Sequence, residues 1–179
     1  MNNLSNAQII SALCTLLQKP GGRHLYMVLG TYTAIESFIS KDLCSAMRTD
    51  GTPFPAPLRF NQALLASIED EALRRLVRDE HRRPLAVESQ LNQAFEQLLR
   101  HQFEEHPFLI LEQCELMFAY SLDLSKLRTF ATDEHHLLLL LPGKQVSNQM
   151  VLFHEAEQRF LKQFPSQLVT ENHLWELNV

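Results

Sequence analysis

Three short segments made almost entirely of apolar residues constrain the fold of this chain more than any other feature. They are LYMVLG at 25–30, FLILE at 108–112 and LLLLL at 137–141. Runs of this length without polar positions are typical of strands that are buried on both faces of a parallel sheet. Segments with helical periodicity separate them, and strand–helix–strand connections favour parallel pairing. The sequence therefore predicts a three-layer α/β fold with a mostly parallel central sheet flanked by helices.

Weaker patterns complete the predicted order of elements. A helix over residues 5–18, with Ser5 as its N-cap, precedes the first strand, and Pro142-Gly143 bounds the leucine strand. The other predicted elements are an edge strand at 58–60, helices over about 61–78, 85–102 and 122–131, a strand at 150–153, a helical turn or two within 154–164 and a terminal strand at 173–179. We expect one domain, divided into a leading helix (1–20), an α/β core (21–143) and a C-terminal extension (144–179).

The turn after the first strand has the spacing of a phosphate-binding loop. Gly30 and Ser37 stand at the outer glycine and the Ser/Thr position of G-x-x-x-x-G-K-[ST]. Ile35 and Glu36 replace its second glycine and its lysine. Ile35 is β-branched and resists the backbone angles of such loops. Glu36 repels phosphate, at a cost on the order of a few kcal/mol for a contact at ~4 Å. We interpret the loop as one that no longer binds nucleotide; an ordinary strand–turn–helix corner is the alternative.

A second landmark is the segment FLILEQCELMF at 108–118, an apolar strand followed by acids, as in a Walker B segment. Glu112 would take the place of the magnesium-linked aspartate, and Glu115 follows three residues later. A strand end that faces solvent is the alternative interpretation. His135 and His136 are adjacent, so their side chains should point to opposite faces and form no zinc site. We therefore predict no catalytic residue, no cofactor and no metal.

Composition limits the classes of function. The formal charge of −5 argues against a protein that coats nucleic acid in general. No run approaches the ~20 apolar residues of a membrane span, and MNNLSNAQ at residues 1–8 lacks the basic and apolar regions of a signal sequence. We expect a cytoplasmic protein that does not contact a membrane.

The order of these elements, together with the LILEQCELMF segment, resembles the small P-loop-containing subunits of BREX-type bacterial phage-defence systems. The resemblance covers most of residues 20–179 and implies a compact P-loop-NTPase-like, AAA-like domain. It also implies that larger protein subunits of a defence complex are partners. The family pattern has Gly-Lys in the loop and Asp at the end of the later strand, where this chain has Ile35-Glu36 and Glu112. The expected function is therefore that of a pseudo-NTPase subunit for interaction or assembly.

A cluster of arginines supports an alternative function. Five arginines fall within ten residues, namely Arg74, Arg75, Arg78, Arg82 and Arg83. If a helix continued to Arg82, four of them would line one face and contact DNA phosphates. Acidic residues interleave with them, so a solvated face with ion pairs such as Glu71 with Arg74 or Arg75 is the other interpretation.

Three functions remain open at this point. They are a non-catalytic assembly subunit, a DNA-binding accessory protein that uses the arginine cluster, and an active ATPase or other hydrolase that uses Glu112, Glu115 or the two adjacent histidines. DNA contact through a partner is a further possibility in the first case. The sequence does not determine the oligomeric state.

Overall fold

The computed structural model describes residues 4–177 and shows an α/β architecture with a seven-stranded sheet. The strands are β1 (Leu25–Gly30), β2 (Leu58–Arg59), β3 (Phe108–Glu112), β4 (His136–Val146), β5 (Gln149–Leu152), β6 (Lys162–Pro165) and β7 (Leu174–Glu176). Five strands run parallel in the order β2-β3-β4-β1-β7, while β5 pairs antiparallel with β4 and β6 with β5. The predicted α/β fold with a mostly parallel sheet is confirmed.

Seven α-helices connect and flank these strands in the described part of the chain. They are α1 (Asn6–Leu16), α2 (Tyr32–Ser37), α3 (Phe60–Ala66), α4 (Asp70–Asp79), α5 (Pro84–Glu105), α6 (Glu115–Ala119) and α7 (Ser125–Phe130). A π-helical turn, Phe38–Leu43, continues α2, and single 3₁₀ turns cover Gln158–Phe160, Ser166–Leu168 and Glu171–His173. Ser5 is the N-cap of α1, as predicted: its Oγ accepts from the Gln8 N–H, and the Gln8 side chain accepts from the Ser5 N–H.

The sheet separates two apolar cores. Leu25, Met27 and Leu29 of β1 face the first core, which α3 to α7 cover. Tyr26 and Val28 face the second core, which contains buried residues of α1, α2 and the π-helical turn. Because side chains alternate along a strand, each central strand contributes to both cores. This double burial explains why the three predicted strands lack polar positions.

Three predicted elements differ from the structure. The helix predicted over 61–78 is two helices, because the chain turns at Ser67, whose Oγ donates to the Leu64 carbonyl oxygen. Within 154–164, the helical segment is a single 3₁₀ turn followed by β6. The leucine strand does not end at Pro142-Gly143, since β4 continues through both residues and exchanges its partner β1 for β5 there. Residues 1–3, 178 and 179 lie outside the described part of the chain.

At Gly143 the strands β4 and β5 approach each other closely. A Cβ atom there would lie 2.9 Å from the Val151 carbonyl oxygen and 2.8 Å from Leu152 Cδ2. We expect Gly143→Ala to lower the free energy of unfolding by about 1–3 kcal/mol, because the backbone of β5 must move to accept the methyl group. Urea unfolding measures this change.

The neighbouring variant Lys144→Ala serves as the matched control. Lys144 is exposed, so its truncation should change stability by no more than about 0.5 kcal/mol. Equal stability of the Gly143→Ala variant and the unmodified chain would contradict the close approach of the two strands.

Candidate functional site

A cavity of about 410 Å³ opens beside the carboxyl ends of β2 and β3 and the part of β4 where its parallel pairing with β1 ends, and we call it the carboxyl-edge pocket. Its lining residues are Tyr32, Ile35, Glu36, Ile39, Ser40, Arg59, Glu112, Gln113, Glu115, Leu140 and Pro142. Parallel strands end at a common edge, and the crevice outside that edge is where open α/β sheets bind ligands. Its position therefore makes this pocket the candidate site.

The corner between β1 and α2 differs from a phosphate-binding loop. Only Thr31 separates Gly30 from the first helical residue, Tyr32. Thr31 is the N-cap, and its Oγ accepts from the Ala34 N–H at 3.1 Å while its carbonyl oxygen accepts from the Ile35 N–H at 3.0 Å. A loop of phosphate-binding length is absent from this described corner. The expected length of the loop is therefore wrong, and the corner is an ordinary strand–turn–helix connection.

The N-terminus of α2 is occupied by a carboxylate of the same chain. The Tyr32 N–H donates to Glu155 Oε2 at 2.8 Å, across 123 residues of sequence. An anion at this position is stabilised by the free N–H groups and the dipole of the helix. Glu155 thus lies where a helix N-terminus would otherwise present its N–H groups to a phosphate.

Three carboxylates and one guanidinium line the pocket. Arg59 Nε lies 3.4 Å from Glu112 Oε1, so this arginine is paired with the end of β3. Glu115 Oε2 accepts from the Asn61 amide at 2.7 Å. Partial burial, and then the negative charge of Glu115, raise the pKa of Tyr32. The pocket therefore has an acidic rim.

The structure brings only some of the predicted site residues together. Ile35, Glu36, Glu112 and Glu115 all line the carboxyl-edge pocket, whereas Gly30 and Ser37 do not. A Cβ at Gly30 would lie 3.1 Å from Leu177 Cδ1, so this glycine serves the packing of the chain against β1. Ser37 is the last residue of α2.

No protein-family model, curated protein or solved structure matches this chain. None of the described helices has the length and apolar character needed to cross a bilayer. The chemistry of the site must therefore be inferred from its own residues.

The helix does not continue to Arg82, so the face of four arginines that such a helix would have formed is absent. Because α4 ends at Asp79, Arg82 and Arg83 lie in the turn before α5, where both N–H groups donate to the Asp79 carbonyl oxygen. Arg75 and Arg83 line a groove of about 580 Å³ between α4 and α5. All five side chains are exposed. Within residues 4–177, none of the five has a carboxylate oxygen within 4.0 Å, so the expected pairing of Glu71 with Arg74 or Arg75 is absent.

The two adjacent histidines point to opposite faces of the sheet, as predicted. His135 contacts the Phe103 ring at 4.9 Å, while the His136 ring lies 4.1 Å from that of His24. In the register of β3 and β4, His136 pairs with Phe108, four residues before Glu112. The histidine and the acid are therefore about 13 Å apart along the strands. They are too far apart to act on the same reacting group.

A cluster at the amino ends of the strands was not expected from the sequence. The histidine–tyrosine cluster consists of His24, Tyr26, His136 and His173. The Tyr26 hydroxyl lies 3.0 Å from His24 Nδ1 and 3.4 Å from His136 Nδ1, and His173 Nδ1 donates to the Leu25 carbonyl oxygen at 3.2 Å. His24 is only 3% exposed, and its Nε2 has no hydrogen-bond partner. Among residues 4–177, no group of three or more His, Cys, Asp or Glu side chains could hold a metal ion.

Several site residues gave little or no signal in the sequence. Gln113 follows β3 with a positive φ of 53°, a conformation that a non-glycine residue rarely adopts. The Glu155 contact depends on the path of the chain after β5, and the histidines of the cluster are separated by up to 149 positions. Arg59 was visible as a charged residue on the predicted edge strand and Glu112 as a candidate acid, but their pairing was not predicted.

The histidine–tyrosine cluster generates a pH-dependent prediction. Burial lowers the pKa of His24, His136 and His173, that of His136 to about 4 from 6.5. The unfolded chain therefore binds protons that the folded cluster excludes. We expect the free energy of unfolding to be fully developed above pH 6.5 and to fall by on the order of 2 kcal/mol toward pH 4 through His136. Urea unfolding between pH 4 and 7.5 measures this loss.

The variant His136→Gln should lose less of its free energy of unfolding over this pH range. It lacks the imidazole that takes up a proton only in the unfolded chain. His101→Gln is the matched control, because His101 is exposed on α5. Acidic side chains contribute equally in all three proteins. An equal loss of the free energy of unfolding in His136→Gln and His101→Gln would show that His136 is not responsible for the pH dependence.

Proposed function

We propose that this protein is a non-catalytic subunit that acts by assembling with other proteins, and that its carboxyl-edge pocket takes no nucleoside triphosphate. The hydrogen bond from the Tyr32 N–H to the Glu155 carboxylate carries this proposal. A nucleotide would need that N–H for a phosphate oxygen, and it would have to displace an anion that the chain itself supplies. The crevice at the strand ends therefore offers no free N–H group of Tyr32 to a phosphate.

The charges around the pocket support the same conclusion. Glu36, Glu112 and Glu115 face the cavity against Arg59 alone, and that arginine pairs with Glu112. A triphosphate would add several negative charges to this environment. At contact distance each like-charge pair is unfavourable by on the order of a few kcal/mol in partly exposed surroundings.

The expected partners follow from the resemblance to the small subunits of BREX-type defence systems. We propose that larger protein subunits of an anti-phage complex bind this chain and that its role there is structural. The absence of a phosphate loop at the β1–α2 corner supports an assembly role over hydrolysis.

Titration with MgATP tests the proposal directly. We expect no saturable heat or fluorescence change with ATP or a fluorescent analogue at concentrations up to about 1 mM, because the site repels the phosphates and offers no N–H cradle. Micromolar affinity that is lost on changing Gly30 to Val or Ser37 to Ala would contradict it. Retained affinity in both variants would place the nucleotide outside the predicted loop and would also refute the proposal.

A second function, DNA binding through the arginine cluster, is favoured by one observation. The five exposed arginines lack carboxylate partners within 4.0 Å across the described residues, so their charges are not neutralised by ion pairs. Val77 and Leu85 are 67% and 79% exposed beside them. Exposed guanidinium groups without ion-pair partners are suited to bind phosphates and release their counterions.

A triple variant with Ala at Arg74, Arg75 and Arg78 tests this second function. Its affinity for duplex DNA should fall about tenfold or more in low salt, and the dependence on salt should weaken, because fewer counterions are released. The matched control replaces Lys19, Arg23 and Lys41, three exposed basic residues on other segments, and removes the same formal charge. Equal losses in the two triple variants would indicate a nonspecific charge effect and exclude the arginine surface.

A further inference from the structure

The floor of the carboxyl-edge pocket is apolar. Aliphatic surface comes from Ile35 of α2, Ile39 of the π-helical turn, and Leu140 and Pro142 of β4. A volume of about 410 Å³ lies within the range of roughly 300–1,000 Å³ that is usual for sites that bind small molecules. The occupant of such a pocket therefore has an apolar portion.

The rim of the pocket selects for a positive charge. Glu36 is exposed and its carboxylate has no ion-pair partner among the described residues, and Glu115 adds a second carboxylate that no cation there neutralises. The ring of Tyr32, 42% exposed, also lines the cavity. An aromatic ring attracts cations through its negative face, independently of the carboxylates. Carboxylates, a ring and an aliphatic floor together match an organic cation with an apolar stem.

We infer that this pocket binds an arginine side chain of a partner protein. The methylene stem packs against Ile35 and Ile39, and the guanidinium group meets the rim, where a planar donor fork pairs with a carboxylate through two hydrogen bonds. The pairing of Arg59 with Glu112 shows that a guanidinium group is accommodated beside these acids. The inference rests on the proposed function, since a pocket that held nucleotide would not receive a partner.

Other occupants fit the pocket less well. An anionic group meets the same repulsion as a phosphate. A purely apolar side chain would desolvate the carboxylates without pairing them, which costs several kcal/mol for each buried charge. A bare metal ion would leave the aliphatic floor unused, and in the described part of the chain no cluster of three or more ligands is suited to one.

The probe is an acetylated and amidated pentapeptide with one arginine between glycines. Its neutral control replaces arginine by citrulline, which has nearly the same shape without the charge. Methyl resonances of Ile35 and Ile39 in the full chain report binding during the titration. The peptide concentration is raised to on the order of 10 mM, because we expect only millimolar affinity from a single side chain. We expect saturable shifts with the arginine peptide and none with the citrulline peptide.

Substitutions in the rim of the pocket test which carboxylate pairs with the arginine of the peptide. Glu36→Gln should lower the affinity for the arginine peptide about threefold to tenfold, because an ion pair is lost while the shape of the side chain is kept. Glu104→Gln, an exposed acid on α5, should leave the affinity unchanged. Equal shifts with both peptides, or none, would overturn the inference.

Two further titrations separate this inference from the proposed function. Saturable shifts of the same methyl groups with micromolar MgATP would overturn both proposals. The absence of shifts with both ATP and the arginine peptide would overturn only the inference of an arginine contact. Shifts that depend on protein concentration in the absence of peptide would identify a second copy of this chain as the occupant, which would overturn the assignment to a different partner.

Discussion

The burial of both faces of β1, β3 and β4 is the constraint on which the rest of the structure depends. Leucine, isoleucine, valine, methionine and aromatic side chains fill these strands almost completely, so helices must cover each face. Polar and charged groups are consequently confined to the edges of the sheet, where the strands end. The carboxyl-edge pocket and the histidine–tyrosine cluster lie at the two opposite edges. The position of both polar clusters at the strand ends is thus a consequence of how the core excludes polar residues from its centre.

The chain after β4 shapes the carboxyl edge. Leu177 packs against Gly30, and the Glu176 carboxylate accepts from the Gln145 N–H at 2.9 Å. The segment after β5 brings Glu155 to the N-terminus of α2. The region that the sequence suggested to be a C-terminal extension therefore places β7 beside β1 and supplies the carboxylate at the N-terminus of α2. Its removal would expose both the edge of β1 and the helix terminus.

Sequence patterns predicted the elements of the core more accurately than those of the edges. Apolar runs located β1, β3 and β4, and Ser5 identified the start of α1, because these signals depend on local residues. The continuation of β4 through Gly143 could not be predicted, since it depends on the close approach of β5. Likewise, Glu36, Glu112 and Glu115 were recognised from motif spacing, whereas Glu155 required knowledge of a contact between distant segments. Spacing alone also suggested a loop where the backbone forms a helix from Tyr32 onward.

The two proposed interactions, a partner arginine in the carboxyl-edge pocket and DNA at the arginine cluster, would involve separate surfaces. The arginines lie on α4 and the turn before α5, and none of them lines the carboxyl-edge pocket. A basic partner side chain in that pocket would therefore not compete with phosphates on the arginine surface. Binding at the pocket would also reduce the negative charge of a chain whose formal charge is −5, and so would weaken long-range repulsion of DNA. Partner and DNA would then favour each other electrostatically without any change of conformation, and high salt would reduce this effect because dissolved ions screen long-range interactions between exposed charges.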